Sequence, residues 1–240
     1  VVHGILLEDF AFWVLASIAA AALPALHVIG LLFLLLSFWA IYERGYIDND
    51  RAARDFEKDP RLSSTFGRVE VATPAIAPWL WAAASGAIAI FVLRWPQTPM
   101  PLDFLRWAVA LIATYGLFKI YNRLDKRTRI WLFPGLQLAR TIAPVALVPI
   151  GAAASLALGA HVIARWVPYY LYRIGGRDWP EAPFFLSRLM FYVLLWTMMM
   201  LTQGHEPLLT PTALALLVWN IVRARKDLKT LLHEASRIDR

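Results

Sequence analysis

The sequence predicts an all-α, polytopic membrane protein, with about eight transmembrane helices in one bundle and polar loops on the cytoplasmic side. Three observations lead to this fold class. Of the 240 residues, 59% are hydrophobic, long apolar runs alternate with short polar segments, and basic residues collect after every second run. A soluble domain of this length does not carry so much apolar sequence. The polar segments are too short to fold alone, so residues 1–240 are predicted to form a single transmembrane domain.

The first two predicted helices lie in the apolar run 10–42, which is interrupted by Pro24. As one helix, these 33 residues would extend roughly 50 Å, well beyond a hydrocarbon core of about 30 Å. Two spans that turn near Pro24 and His27 fit a membrane better.

Six further spans are predicted from the remaining apolar runs. Residues 130–164 are too many for one crossing, and Pro144, Pro149 and Gly151 indicate a turn between the fifth and sixth spans. The other spans are predicted at 74–93 for the third, 104–118 for the fourth, 184–202 for the seventh and 207–221 for the eighth.

Basic residues are distributed unevenly between the two predicted sides. With eight spans, the side that holds the ends of the even-numbered spans receives 19 of the 24 Lys and Arg residues. Cytoplasmic loops are the ones enriched in Lys and Arg. We therefore expect an integral protein of a bacterial inner membrane with both termini in the cytoplasm. The formal charge of +7 then reflects contact with anionic membrane lipid, and no nucleic-acid partner is predicted.

The polar stretch 42–68 follows the second span and mixes carboxylates with basic residues. If a helix continues from span two, positions i, i+4 and i+8 share one face. That face carries the amide of Asn49, the methyl group of Ala53 and the carboxylate of Glu57. Asp50 and Arg54 lie roughly beside it.

Carboxylate and amide oxygens on one face suit Mg²⁺, which commonly bridges protein carboxylates to substrate phosphates. Neighbouring basic side chains would then bind the remaining phosphate oxygens; these are Arg54, Arg61, Lys126 and Arg127. The alternative is a solvated amphipathic helix whose charges pair with one another.

The arrangement resembles the UbiA-type intramembrane prenyltransferase superfamily. The first family motif, N-D-x-x-D-x-x-x-D, follows the second transmembrane helix. Asn49 and Asp50 match it, Ala53 replaces the third-position acid, and Glu57 takes the last position. The loop after span four is similar to the family pattern of a Tyr followed by a Leu-Lys-Arg-like sequence, and here it contains Tyr121, Leu124, Lys126 and Arg127.

The second acidic motif of the family, D-x-x-x-D, belongs after the sixth helix. This chain has Arg177, Asp178 and Glu181 there, with the two acids one residue closer than in the family pattern. The resemblance implies one metal held by Asn49, Asp50 and Glu57 and another held by Asp178 and Glu181. It implies catalytic roles for Asp50 and Glu57, and substrate binding by Arg54, Arg61, Tyr121, Lys126, Arg127 and Arg177.

The resemblance therefore implies a Mg²⁺-dependent transferase that acts on a polyprenyl phosphate or diphosphate, by prenyl transfer or by transfer of a group to a polyprenyl phosphate. The expected partners are an isoprenoid (di)phosphate lipid and membrane lipid. Ala53 and the irregular 177–181 loop leave a second hypothesis open. It is a catalytically degenerate relative that acts as a lipid-binding subunit or transporter.

Three arginines fall within or near predicted spans, where an ionisable group is a functional candidate. Arg140 lies well inside span five and is the best candidate for an interior role. Arg165 and Arg188 have the alternative of snorkelling to the interface. No cysteine is present, which excludes disulfides, thiolate metal sites and cysteine nucleophiles.

Overall fold

The computed structural model describes residues 4–57, 60, 62–63, 66–67, 74–176, 182–205 and 208–238. Regular structure in these residues is helical throughout, without a strand. Short π and 3₁₀ segments flank the first helix and follow the fifth. The α-helices are α1 (Ala11–Ser17), α2 (Pro24–Phe56), α3 (Ala77–Arg94), α4 (Pro101–Arg123), α5 (Arg129–Ile142), α6 (Ala152–Gly175), α7 (Phe184–Gln203) and α8 (Pro211–Ile238).

Four of these helices, α2, α3, α4 and α7, are long and apolar enough to cross a membrane. Helices α1 and α5 have 7 and 14 residues, too few for a hydrocarbon core of about 30 Å. Helices α6 and α8 are long enough but contain no stretch of that length that is equally apolar. The helical membrane character predicted from the sequence is therefore supported, whereas the count of eight spans is not confirmed.

Helix α2 begins at Pro24, where the sequence predicted the break in the first apolar run. Proline is well suited to the first turn of a helix because that turn does not use its missing N–H. The helix then continues for 33 residues to Phe56, roughly 50 Å. Because α2 is longer than a hydrocarbon core, its polar last third lies beyond the apolar span. This is the helical continuation of span two that the sequence analysis considered.

Three helices run further than the apolar pattern indicated: α4 to Arg123, α6 to Gly175 and α8 to Ile238. Hydropathy falls at the first charged residues, but Arg, Lys, Leu and Ala are good helix formers and continue the hydrogen-bonded backbone. Helix α6 stops at Gly176, whose φ of 66° is the left-handed conformation common after a helix C-terminus.

The chain forms two compact units. Unit 1 contains the residues up to Val14 together with Ala21–Pro149. In it, the Ser37 hydroxyl on α2 donates to the Ala82 carbonyl on α3 at 2.6 Å and accepts from Trp107 Nε1 on α4 at 2.9 Å. One small buried side chain therefore joins three helices.

Unit 2 contains Leu15–Ala20 and Ile150–Arg240. The Asp227 carboxylate on α8 accepts the backbone N–H groups of Phe185 and Leu186 at 2.9 and 3.1 Å, which caps the first turn of α7. Arg188 does not snorkel, since it is fully buried and donates from Nε to Asn220 Oδ1 at 2.7 Å. The single-domain organisation stays a prediction.

Candidate functional site

Asp48 is the most heavily paired carboxylate on the polar end of α2. Its Oδ1 lies 3.1 Å from Arg44 and 3.3 Å from Arg51. Its Oδ2 accepts from Tyr115 at 2.9 Å and from Lys119 at 2.8 Å, both on α4. Asp48 therefore ties α2 to α4. No sequence pattern pointed to Asp48, because its partners Tyr115 and Lys119 lie far along the chain on α4.

Glu57 ends the same helix and is also neutralised by bases. Its Oε1 accepts from Arg129 Nη1 at 2.7 Å, and its Oε2 lies 3.0 Å from Lys126 Nζ. Arg129 is itself buried and donates from Nε to the carbonyls of Tyr121 and Leu124. The sequence did not identify Arg129, although it stands at the start of span five directly after a basic run.

Asp50 differs from these two acids. It is 9% exposed, and its Oδ2 accepts one backbone N–H, from Ser63 at 3.2 Å. Among the described residues no cationic side chain pairs with it. The neighbouring Asn49 has its side-chain oxygen buried without a hydrogen-bond partner in the described part of the chain. These adjacent residues therefore offer oxygen atoms that no base neutralises within the described residues.

The other predicted site residues have varied surroundings. Ala53 is buried at 4% exposure. Arg54 donates to Asp55 at 2.8 Å on an exposed surface, and Tyr121 lies beneath the Arg129 guanidinium at 5.4 Å. Arg127 is exposed in the α4–α5 turn. The remaining predicted residues lie outside the described residues; they are Arg61, Arg177, Asp178 and Glu181.

The donor set partly fits magnesium. Asp50 and Asn49 offer a carboxylate and an amide oxygen, the ligands that Mg²⁺ prefers. Glu57 does not fit, because both of its oxygens are taken by bases. Across the described ranges no three His, Cys, Asp or Glu side chains are grouped closely enough to hold a metal alone. An ion held here would therefore complete its coordination with water or phosphate oxygens.

Arg140 has the interior role predicted for it, and its partner is Asp9. The two form a bidentate ion pair, with Nε and Nη2 at 2.8 and 2.9 Å from the two carboxylate oxygens. Asp9 is 1% exposed, and the guanidinium lies 5.0 Å from the Trp39 ring. The pair fastens the N-terminal π-helical turn to α5.

Unit 2 contains an apolar cavity of about 690 Å³ between α7 and α8. Trp196, Leu208 and Leu214 form part of its wall. Its lining is mainly apolar, which suits a hydrocarbon chain.

The Glu57 ion pairs predict a stability that depends on pH. Burial acts to raise the pKa of Glu57, but hydrogen bonds from Lys126 and Arg129 outweigh it and hold the pKa below its usual value, about 4.3. A lowered pKa stabilises the fold above that usual value, and the contribution is lost as pH falls through the folded pKa.

Glu57→Gln should therefore reduce the loss of thermal stability below about pH 4.3. The thermal midpoint, monitored by tryptophan fluorescence at several pH values between neutral and acidic, measures this loss. Equal losses in the wild type and in this variant would contradict the assignment.

Comparison with known proteins gives no match: no family model, no curated protein and no solved structure is significantly similar to the chain. The relation to the UbiA-type superfamily therefore stays a prediction from the motif resemblance.

Proposed function

We propose that the chain is a UbiA-like membrane transferase that binds a polyprenyl phosphate or diphosphate together with Mg²⁺. It transfers the prenyl chain, or transfers a group to the polyprenyl phosphate. In this proposal the eight α-helices form the membrane domain. Both termini and the polar ends of α2 and α4 face the cytoplasm.

One observation carries the proposal: Asp50 is a buried carboxylate without a cationic partner among the described residues. Burying a charge is costly unless it is paired. The nearby acids Asp48 and Glu57 already have bases of their own. Asp50 is therefore the carboxylate best placed to receive an added cation.

The basic residues of the α4–α5 turn supply the phosphate contacts in this proposal. Lys126 is about half exposed and Arg127 is exposed, so their donors can reach a ligand from the aqueous side. In prenyl transfer the bond between the allylic carbon and a diphosphate oxygen breaks, and the diphosphate leaves with the electron pair. The acceptor forms the new bond to carbon and loses a proton to water. A bound magnesium ion would neutralise the charge that grows on the leaving phosphate.

The test compares Asp50→Asn with a matched control, Asp55→Asn, on the same helix. Asp55 pairs with Arg54 on an exposed surface, so its loss should leave ligand affinity unchanged. Binding of a labelled polyprenyl diphosphate to the protein in nanodiscs is measured with Mg²⁺ and with EDTA. We expect saturable, Mg²⁺-dependent binding that weakens about tenfold or more in Asp50→Asn. Equal affinity in Asp50→Asn and the wild type would refute the proposal.

A second candidate is a catalytically degenerate relative that binds the lipid without transferring it. The ion pairs of Glu57 with Lys126 and Arg129 favour it, because they occupy a carboxylate that the family pattern gives to metal. Ala53 favours it too, since it offers no ligand atom. Mg²⁺-dependent binding without release of diphosphate, across a panel of prenyl acceptors, would support this function over transfer.

A further inference from the structure

Helices α2 and α4 run parallel and pack closely along one seam, which we call the α2–α4 seam. Ser37 contacts Trp107 at 2.9 Å, and Asp48 contacts Lys119 at 2.8 Å. Between these two contacts, a side chain added at Gly45 would overlap the Phe118 ring, with its first carbon 2.2 Å from that ring. The three contacts fix how the two helices are aligned.

This alignment places two asparagines in the same layer of the seam. Asn49 lies one helical turn beyond Gly45, and Asn122 lies one turn beyond Phe118. The two helices run in the same direction with the same rise per residue. The two asparagines therefore lie at the same level, one turn beyond the Gly45–Phe118 contact. On the far side of the layer, Arg129 Nη2 donates to the Asn122 backbone carbonyl at 3.4 Å.

The two asparagines share a second property. Asn49 Oδ1, Asn122 Oδ1 and Asn122 Nδ2 are buried, and within the described residues none has a hydrogen-bond partner. A buried polar atom without a partner is destabilising, and native proteins rarely keep one unless water, an ion or a ligand satisfies it. Three such atoms in one layer next to Asp50 therefore indicate a bound polar group.

We propose that Asn122 is a further ligand-binding residue of the Asn49–Asp50 site, and that the two amides bind the head group of a magnesium diphosphate. This rests on the proposed function and adds to it a residue that the motif resemblance does not include. The chemistry of the amide matches this ligand. Its oxygen can bind the metal or a metal-bound water, and its N–H₂ group can donate to a phosphate oxygen.

The experiment uses the full chain in nanodiscs, with Mg²⁺ alone and with Mg²⁺ plus inorganic diphosphate as probes. Asn122→Leu replaces the amide with an apolar group of similar size. We expect its thermal midpoint without ligand to rise by about 2–4 °C, because buried polar atoms without partners are removed. We also expect its affinity for magnesium diphosphate to fall about tenfold or more. Arg123→Gln, at the exposed neighbouring position, is the control and should change neither value.

The outcomes separate this inference from the proposed function. If Asp50→Asn loses binding while Asn122→Leu binds as the wild type does, the layer holds only water, and the inference fails while the function stands. If the wild type binds the polyprenyl diphosphate but not magnesium diphosphate, the inference fails while the function stands, and if it binds neither, both proposals fail. Asn122→Ala keeps the test decisive should leucine misfold, since it removes the same amide without adding bulk. Unchanged affinity in that variant also overturns the inference.

Discussion

Arg140→Met is expected to destabilise the protein by about 3–5 kcal/mol, the cost of breaking a buried ion pair by removing one partner. The wild-type guanidinium holds both oxygens of Asp9, which is 1% exposed. Without that guanidinium the carboxylate remains in an apolar interior, and the N-terminal turn loses its attachment to α5. For a chain of this length the thermal midpoint should fall by roughly 6–20 °C.

Two further variants test the cause of this loss. Asp9→Leu combined with Arg140→Met removes both charges and should recover most of the stability, because an apolar pair can replace a buried ion pair at little cost. Asp55→Asn removes one member of an exposed pair and should leave the thermal midpoint almost unchanged, because solvent screens such pairs. A smaller loss in Arg140→Met than in Asp55→Asn, by thermal unfolding, would contradict a buried structural pair.

Gly45→Ala is expected to destabilise the α2–α4 seam by about 1–3 kcal/mol, the usual cost of overpacking. The added methyl carbon would come within 2.2 Å of the Phe118 ring. That ring is 2% exposed and packs against Tyr42 and Tyr46, with ring centroids 4.9 and 5.5 Å away. It has no free space into which it can move.

Gly116→Ala is the matched control on α4. Nothing lies within 4 Å of a side-chain carbon added there, so the substitution should stabilise the helix by about 0.5–1 kcal/mol through lower backbone entropy in the unfolded chain. Thermal unfolding should therefore shift in opposite directions for the two glycine substitutions. A gain in stability from Gly45→Ala would mean that α2 and α4 are not in close contact at this level.

The helices of this protein follow well from local sequence, because apolar runs and prolines act within a few residues. The break at Pro24 and the turn at Pro144–Gly151 were both predicted, and α2 continues into the polar stretch as expected. Helix ends were less predictable. The apolar pattern stops where charges begin, whereas the backbone hydrogen bonds continue through Arg123 and Gly175.

The sequence could predict the region of the candidate site but not the contacts of its side chains. The sequence indicated a polar face on the extension of α2 and an interior role for Arg140. The partner of Arg140 lies 131 positions earlier in the chain, beyond the reach of any local pattern. Spacing also could not show that Tyr115 and Lys119 bind Asp48, or that Lys126 and Arg129 bind Glu57, because these partners lie far along the chain. Nor could it show that Asp50 has no cationic partner among the described residues.

The most direct measurement is a cryo-EM map of the protein in nanodiscs with Mg²⁺ and a non-hydrolysable polyprenyl diphosphate. We predict an ion at about 2.1 Å from an Asp50 carboxylate oxygen. The diphosphate should be bound to that ion and lie near Lys126. Head-group density at a different place, with Asp50 still bonded only to the Ser63 backbone, would contradict it.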